Sequence, residues 1–225
     1  MNQVFYERSY PGEIARPSVE MIKGPGGKFL MAATSWGNKE VLKEISQSFS
    51  ESLTAGMTDR EATSPFIHLP TLSPLANGLR GATILANEKA YKNCNSNAYS
   101  SACEALVLAF DGPEMAWVQI GQPHLLLVRG GHLVPLEVGI DLGMDYGMPA
   151  PLPSRLLGIN PDLDVVVKSA VIKPDDKMIM LARSTIPSDF FTQDLSQSSQ
   201  EILAKLFEVA VNEDGRQPFW ISVID

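Results

Sequence analysis

The stretch Lys28-Phe29-Leu30-Met31-Ala32-Ala33-Thr34-Ser35-Trp36-Gly37-Asn38 decides how the chain is read. Phe29 to Ala33 is an uninterrupted apolar run with the length of a buried strand. Thr34 to Gly37 then reads as a turn of mostly small residues. Asn38 is suited to cap a helix, because its side-chain oxygen can accept from the free N–H groups of a first turn. Beyond it, Val41, Leu42, Ile45, Phe49 and Leu53 recur at helical spacing until near Gly56, which predicts an amphipathic helix with one core face.

Working outward, Thr58 to Pro74 is rich in Pro, Ser and Thr and reads as a connection. A second helix follows, with Leu72, Leu75, Leu79, Thr83 and Ala86 on its buried face, and the Asn- and Ser-dense Asn93 to Ser101 reads as a loop. Strands are expected at Glu104 to Phe110, Ala116 to Gly121 and Leu125 to Val128. Asp111-Gly112-Pro113 and Arg129-Gly130-Gly131 punctuate them as hairpin turns. Val138 to Pro153 is broken by Pro and Gly and reads as irregular. Val165 to Ile172 and Lys177 to Ala182 read as a further hairpin joined by Lys173-Pro174-Asp175-Asp176. Ser198 and Glu201 form a capping box ahead of a helix that buries Ile202, Leu206 and Ala210, with Leu203 and Phe207 beside them. The last strand is Phe219 to Ile224. Strands in runs with segregated helices argue an α+β fold.

The 225 residues, 44% hydrophobic and 20% charged, fit one globular domain over residues 1–225. No run of eighteen or more apolar residues is present, and Met1 to Tyr10 lacks an apolar signal core, so a cytoplasmic protein is expected. Cys94 and Cys103 are too few for a disulfide framework or a zinc site and read as reduced structural thiols. A net charge of −8 argues against nucleic acid or an anionic membrane as partner.

Five motifs, in the correct order along nearly the whole chain, resemble those of the PPM (PP2C-type) metal-dependent Ser/Thr protein phosphatases. Arg16-Pro17-Ser18-Val19-Glu20-Met21 is similar to R-x-x-N-E-D, with Met21 at the ligand position. Phe29 to Asn38 is similar to F-A-V-A-D-G-M-G-G-H, with Thr34 and Ser35 in place of Asp-Gly. Gln119 to Gly131 is similar to N-V-G-D-S-R-A-Y-L-I-R-D-G, keeping Gly121 and placing Gln122 where the family has Asp. Asp176 to Ile186 is similar to g-D-x-l-l-L-x-S-D-G-l, with Ser184 at the metal Asp. Gln217 to Val223 is similar to D-N-i-T-v-v-v, with Gln217 at the acidic position. Two weaker matches are Ser101 to Ala105 for the family's G-T-T turn and Ser154 to Gly158 for its r-a-L-G. The resemblance implies an antiparallel β-sandwich flanked by α-helices in α/β/β/α layers, and it implies that Arg16 is the residue that grips substrate phosphate.

The same resemblance implies two bridging divalent cations, and chemistry then argues against them. Mg²⁺ and Mn²⁺ held roughly 3.5–4 Å apart need several carboxylates to offset their repulsion. Met21, Thr34, Ser35, Ser184 and Gln217 bring no negative charge, and a thioether is a poor partner for a hard cation. Without the metals no bridging hydroxide forms near neutral pH. No catalytic residue, metal ligand or cofactor is therefore expected.

Other patterns carry less. Gly24-Pro25-Gly26-Gly27-Lys28 lacks the spacing of a phosphate-cradling loop and precedes a strand, so it reads as a turn. His68, His124 and His132 have no triad neighbour. Glu20 reads as a paired or solvated carboxylate. Trp36 either fills the emptied turn, since a cavity costs stability, or faces a partner. The expected function is that of a catalytically inactive, protein-binding regulatory module, a pseudophosphatase. Arg16, Ser35, Trp36 and His124 are its candidate phosphate- or partner-binding residues, and a phosphoprotein is one candidate partner. The alternative is a divergent metal-dependent phosphatase with an atypical site using Glu20 or Asp141, Asp145 and Asp189. A third reading is a structural subunit, whose sign would be an exposed apolar patch in Val138 to Pro153.

Overall fold

In chain order the elements are β1 (Phe5–Tyr10), β2 (Val19–Lys23), β3 (Phe29–Gly37), α1 (Glu40–Thr58), α2 (Pro74–Ala90), β4 (Ser101–Asp111) and β5 (Glu114–Ile120). They continue as β6 (His124–Arg129), β7 (His132–Glu137), α3 (Leu142–Asp145), β8 (Val167–Val171), β9 (Lys177–Ala182), α4 (Ser199–Glu213) and β10 (Phe219–Ile224). This computed structural model describes residues 3–58, 66–145 and 151–225. The expected connection from Thr58 to Pro74 lies partly outside the described residues, as does part of Val138 to Pro153. No helix among the described residues is long and apolar enough to cross a membrane.

Contacts gather the chain into two compact units, each built on one five-stranded sheet. The unit formed by Glu20–Ile120 and Arg155–Ile172 has the strand order β2-β3-β4-β5-β8. β3 runs antiparallel to β4, with Phe29 opposite Ala109 and Gly37 opposite Ser101. One face of this sheet, carrying Phe29, Met31, Ala33, Cys103, Ala105 and Val107, packs with Val41, Ile45 and Phe49 of α1 and Leu79 and Ala86 of α2. Each such large apolar side chain contributes about 1.5–3 kcal/mol by leaving water. The caps follow the sequence: Asn38 Oδ1 accepts the Glu40 N–H at 3.0 Å and Ser73 Oγ accepts the Ala76 N–H at 3.1 Å.

The other unit, whose described parts lie within Met1–Val19, Gly121–Ser154 and Lys173–Asp225, has the order β1-β10-β9-β6-β7. Ile202, Leu203, Leu206 and Ala210 of α4 pack on Leu126, Ile179, Leu181, Ile221 and Val223. The capping box is formed: Ser198 Oγ accepts the Glu201 N–H, and Glu201 Oε2 accepts the Ser198 N–H at 3.0 Å. Arg129 grips the buried Asp176 with two hydrogen bonds of 2.9 and 2.5 Å and ties the turn after β6 to the turn before β9. That contact holds the Asp176 carboxyl below the usual carboxylate range.

The α+β class and most elements agree with the sequence, and the differences have physical causes. Thr34, Ser35 and Trp36 do not form a turn; they continue β3 opposite Glu104, Cys103 and Ala102, because β4 supplies partners as far as Ser101. Lys173 to Asp176 is not a hairpin: β8 pairs with β5 in one sheet and β9 with β6 and β10 in the other. Asn93 to Asn95 belongs to a π-helical turn, Tyr91–Asn95, that prolongs α2. α2 begins at Pro74, with Leu72 just ahead of it. Leu142–Asp145 forms a single helical turn within the stretch read as irregular. β1 was not expected, and its mixed pattern, Phe-Tyr-Glu-Arg-Ser-Tyr, is that of an edge strand along β10.

Candidate functional site

In the unit of α4, the neighbourhood of Arg16 is built from four separate segments. The Arg216 carbonyl accepts the Glu13 and Ile14 N–H groups at 2.8 and 3.3 Å, so the approach to Arg16 is tied to the residue before Gln217. Gly121, at φ +90°, turns the chain out of β5 in a conformation suited to glycine. The turn presents Gln122, fully buried, whose Oε1 accepts from Arg16 Nη1 at 2.6 Å. The resemblance places an aspartate at this position; the residue present is neutral and serves the half-buried arginine.

His124 follows at the head of β6 and is 1% exposed. Its Nδ1 accepts the Gly139 N–H at 3.0 Å, which leaves Nε2 to donate to the Arg183 carbonyl at 2.8 Å. Both nitrogens are thus used by backbone. Burial pushes the imidazole down to about 4, the bond to the Arg183 carbonyl resists, and the charges of Arg16 and Arg183 lower it further. A histidine so held is a poor general base, because its lone pair is already engaged. Gly139 lies against Gln122 so closely that a Cβ there would stand 1.9 Å from the Gln122 carbonyl oxygen.

Arg183, a fully buried cation that the sequence reading missed, donates from Nη1 to Glu213 at 2.6 Å and lies 6.0 Å from the Phe219 ring centre. Its signal was position: it closes the apolar strand Met178 to Ala182. Ser184, next in the chain, is half-buried, as is Gln217. The Gln217 Oε1 is a buried acceptor with no hydrogen-bond partner.

In the other unit, Thr34 and Trp36 share one face of β3. Thr34 is 0% exposed and its hydroxyl has no hydrogen-bond partner, and the same holds for the buried Trp36 Nε1. Ser35 points to the opposite face and donates to the Asn38 carbonyl at 3.1 Å, bracing the entry to α1. Opposite Thr34 on β4 stands Glu104, a carboxylate at 0% exposure. It is the one charged residue between Ala102 and Phe110, and that break in an apolar run was its signal. Met21 is half-buried on β2. Burial raises the Cys103 thiol far above its ordinary range, an inert structural cysteine.

The carboxylates of the alternative reading are engaged elsewhere. Glu20 pairs with Lys39 at 3.3 Å on the surface. Asp141 accepts the Gly143 and Leu152 N–H groups, each at 2.8 Å. Asp189 is exposed near the start of the short helical turn Ser188–Thr192, and the Asp145 side chain lies outside the described residues. Among the described residues no three His, Cys, Asp or Glu side chains gather in a way that could hold a metal ion. The two hard cations that the resemblance implies do not fit the residues present, since Met21, Thr34, Ser35, Ser184 and Gln217 offer neutral or apolar donors.

Comparison with solved structures identifies the fold. The chain is similar to the serine/threonine phosphatase PstP/Ppp of Mycobacterium tuberculosis, with TM-score 0.64, 17% identity, and coverage of 99% of this chain and 98% of that one. It is similar to PppA, a key regulatory component of the T6SS in Pseudomonas aeruginosa, with TM-score 0.64, 14% identity and coverage of 99% and 96%. It is also similar to the PPM Ser-Thr phosphatase MsPP from Mycobacterium smegmatis, with TM-score 0.63, 19% identity and coverage of 99% and 97%. No family model and no curated protein matches the sequence. The chain therefore has the PP2C-like fold of the PPM phosphatases, at identities that speak to fold alone.

Proposed function

We propose that this chain, with the fold of the PPM phosphatases, is a catalytically inactive, protein-binding regulatory module of the cytoplasm. The observation that carries the reading is the 2.6 Å hydrogen bond from Arg16 to Gln122. It engages, with the neutral amide that stands where the resembling family has Asp, the arginine that the resemblance has gripping phosphate. Thr34 and Ser184 supply hydroxyls and Met21 a thioether, so the charge needed to hold two dications is missing. His124 offers no free lone pair to replace a metal-bound hydroxide. A phosphorylated partner would have to compete with Gln122 for the Arg16 Nη1 donor, so an unmodified protein segment fits this arrangement better.

The test is calorimetry with Mn²⁺ on the purified full chain, together with hydrolysis of p-nitrophenyl phosphate in millimolar Mn²⁺ or Mg²⁺ and in EDTA. Neither binding heat nor EDTA-sensitive turnover is expected. Turnover that rises with Mn²⁺ and vanishes with EDTA would overturn the reading in favour of a divergent phosphatase.

A further inference from the structure

We infer that the outer edge of β8 pairs with the same edge of a second copy of this chain, antiparallel and with Val166 at the twofold axis. This goes beyond the function proposed above and does not depend on it. β8 ends the order β2-β3-β4-β5-β8, so one of its two sides has no neighbouring strand within the sheet. A strand left so at the end of a sheet is a template for another extended chain.

The register fixes which backbone groups face that side. β5 pairs with β8 from Glu114 opposite Val171 to Val118 opposite Val167, and one step further the Ile172 N–H donates to the Pro113 carbonyl at 2.8 Å. Hydrogen-bonded residues alternate along an antiparallel ladder, so Ala170 and Lys168 bond to β5 as Ile172 does. The N–H and C=O groups of Val167 and Ser169 therefore point outward, and among the described residues no hydrogen bond reaches them. The chain ahead of β8 is extended as well, steadied by Arg155 Nη1, which donates to the Asp164 carbonyl at 3.2 Å.

Side chains select the occupant. Leu163, Val165 and Val167 pack on the apolar core shared with α1 and α2, while Asp162, Asp164, Val166 and Lys168 alternate with them and are exposed, Val166 by 54%. Two edges related by a twofold set each residue opposite one of the same parity, because facing side chains share one side of the sheet. With Val166 facing its own copy, Asp164 of each chain stands opposite Lys168 of the other, and the outward groups of Val167 and Ser169 meet Val165 and Leu163 of the copy. Lys168 takes that carboxylate in addition to its contacts within the chain, since an ammonium carries three donors. A register centred on Lys168 would set like charges face to face, which is destabilising. An acidic start and a basic end thus make the segment complementary to its own antiparallel copy, within a chain whose net charge of −8 would otherwise oppose self-association.

The test is sedimentation velocity of the full chain across a range of concentrations, in which a dimer should form as concentration rises. Ser169→Pro removes an outward N–H and leaves the bonds to β5 in place, as proline is tolerated on an edge strand when its missing donor faces away from the sheet. The interface is twofold, so each substitution acts twice, and this variant should dissociate at least about tenfold more readily than the parent. Asp164→Lys should also weaken the dimer, and D164K/K168D, which exchanges the two charges, should restore it. A parent that stays monomeric at its highest soluble concentration would overturn the inference. So would a dimer that Ser169→Pro leaves unchanged, or an exchanged pair that associates no better than Asp164→Lys alone. Should Ser169→Pro lose its near-UV circular dichroism, the charge exchange decides, because Asp164 and Lys168 are exposed and outside the core.

Discussion

Arg16 Nη1 and Gln122 Oε1 stand 2.6 Å apart, linking residues separated by 106 positions in sequence. A hydrogen bond to a charged group contributes about 1.5–3 kcal/mol when buried. Gln122→Leu removes the acceptor and keeps most of the volume, so the variant should lose about 1–3 kcal/mol of stability in urea titrations. Gln122→Glu, which offers the guanidinium a carboxylate, should be much less damaging. Two variants of equal stability would show that the bond contributes nothing.

Thr34 and Glu104 face each other across β3 and β4, both at 0% exposure. Restoring a family-like carboxylate with Thr34→Asp would set a second buried carboxyl opposite the first, and like charges at such a pair repel. A loss of about 3–5 kcal/mol is expected, partly relieved at low pH as one carboxyl takes a proton. Millimolar Mn²⁺ should not raise the melting temperature of this variant, nor of Met21→Asp or Ser184→Asp. A clear rise in any single variant would show that a metal site needs only one added ligand, contrary to the proposed function.

What the sequence made legible was local. The Val41, Ile45 and Phe49 stripe, the Ser198 to Glu201 capping box and the Phe219 to Ile224 run each specify an element by themselves, and each formed where expected. Pairing between distant strands is a different matter. Lys173 to Asp176 has the composition of a hairpin turn, yet β8 and β9 find partners in different sheets. Thr34 to Trp36 looked like a turn until β4 was there to pair with it. Among the candidate residues, Arg16, His124, Ser35 and Trp36 could be picked out by motif. Their contacts could not: the engagement of Arg16 by Gln122, of His124 by Gly139 and Arg183, and the burial of Arg183 depend on long-range geometry.

His124 makes stability depend on pH with a defined sign. Its imidazole, held down to about 4 against an ordinary value near 6.5, is neutral in the fold but takes a proton in the unfolded chain below about pH 6.5. The contribution is full above that value and is lost as pH falls towards 4, roughly 3 kcal/mol in all. His124→Asn keeps an acceptor for Gly139 and cannot titrate here. Urea titrations from about pH 7 down to about pH 4.5 should show the parent losing most of that amount relative to the variant. Parallel curves would mean that His124 is not held neutral by its surroundings.

Gly139 couples that histidine to the segment from Val138 to Asp141 that follows β7. Any Cβ at this position would meet the Gln122 carbonyl oxygen at 1.9 Å, and that oxygen is backbone, so Gly139→Ala forces the chain to move. Overpacking of this kind costs about 1–3 kcal/mol. The displacement also stretches the Gly139 N–H bond to His124 Nδ1. That bond favours the neutral ring, so weakening it lets the imidazole protonate more readily. Gly139→Ala should therefore both destabilise the fold and move the His124 titration upward, measured by NMR of the ring protons. A variant that is less stable but titrates like the parent would show that the segment shifts without disturbing His124, and the coupling between the two would fail.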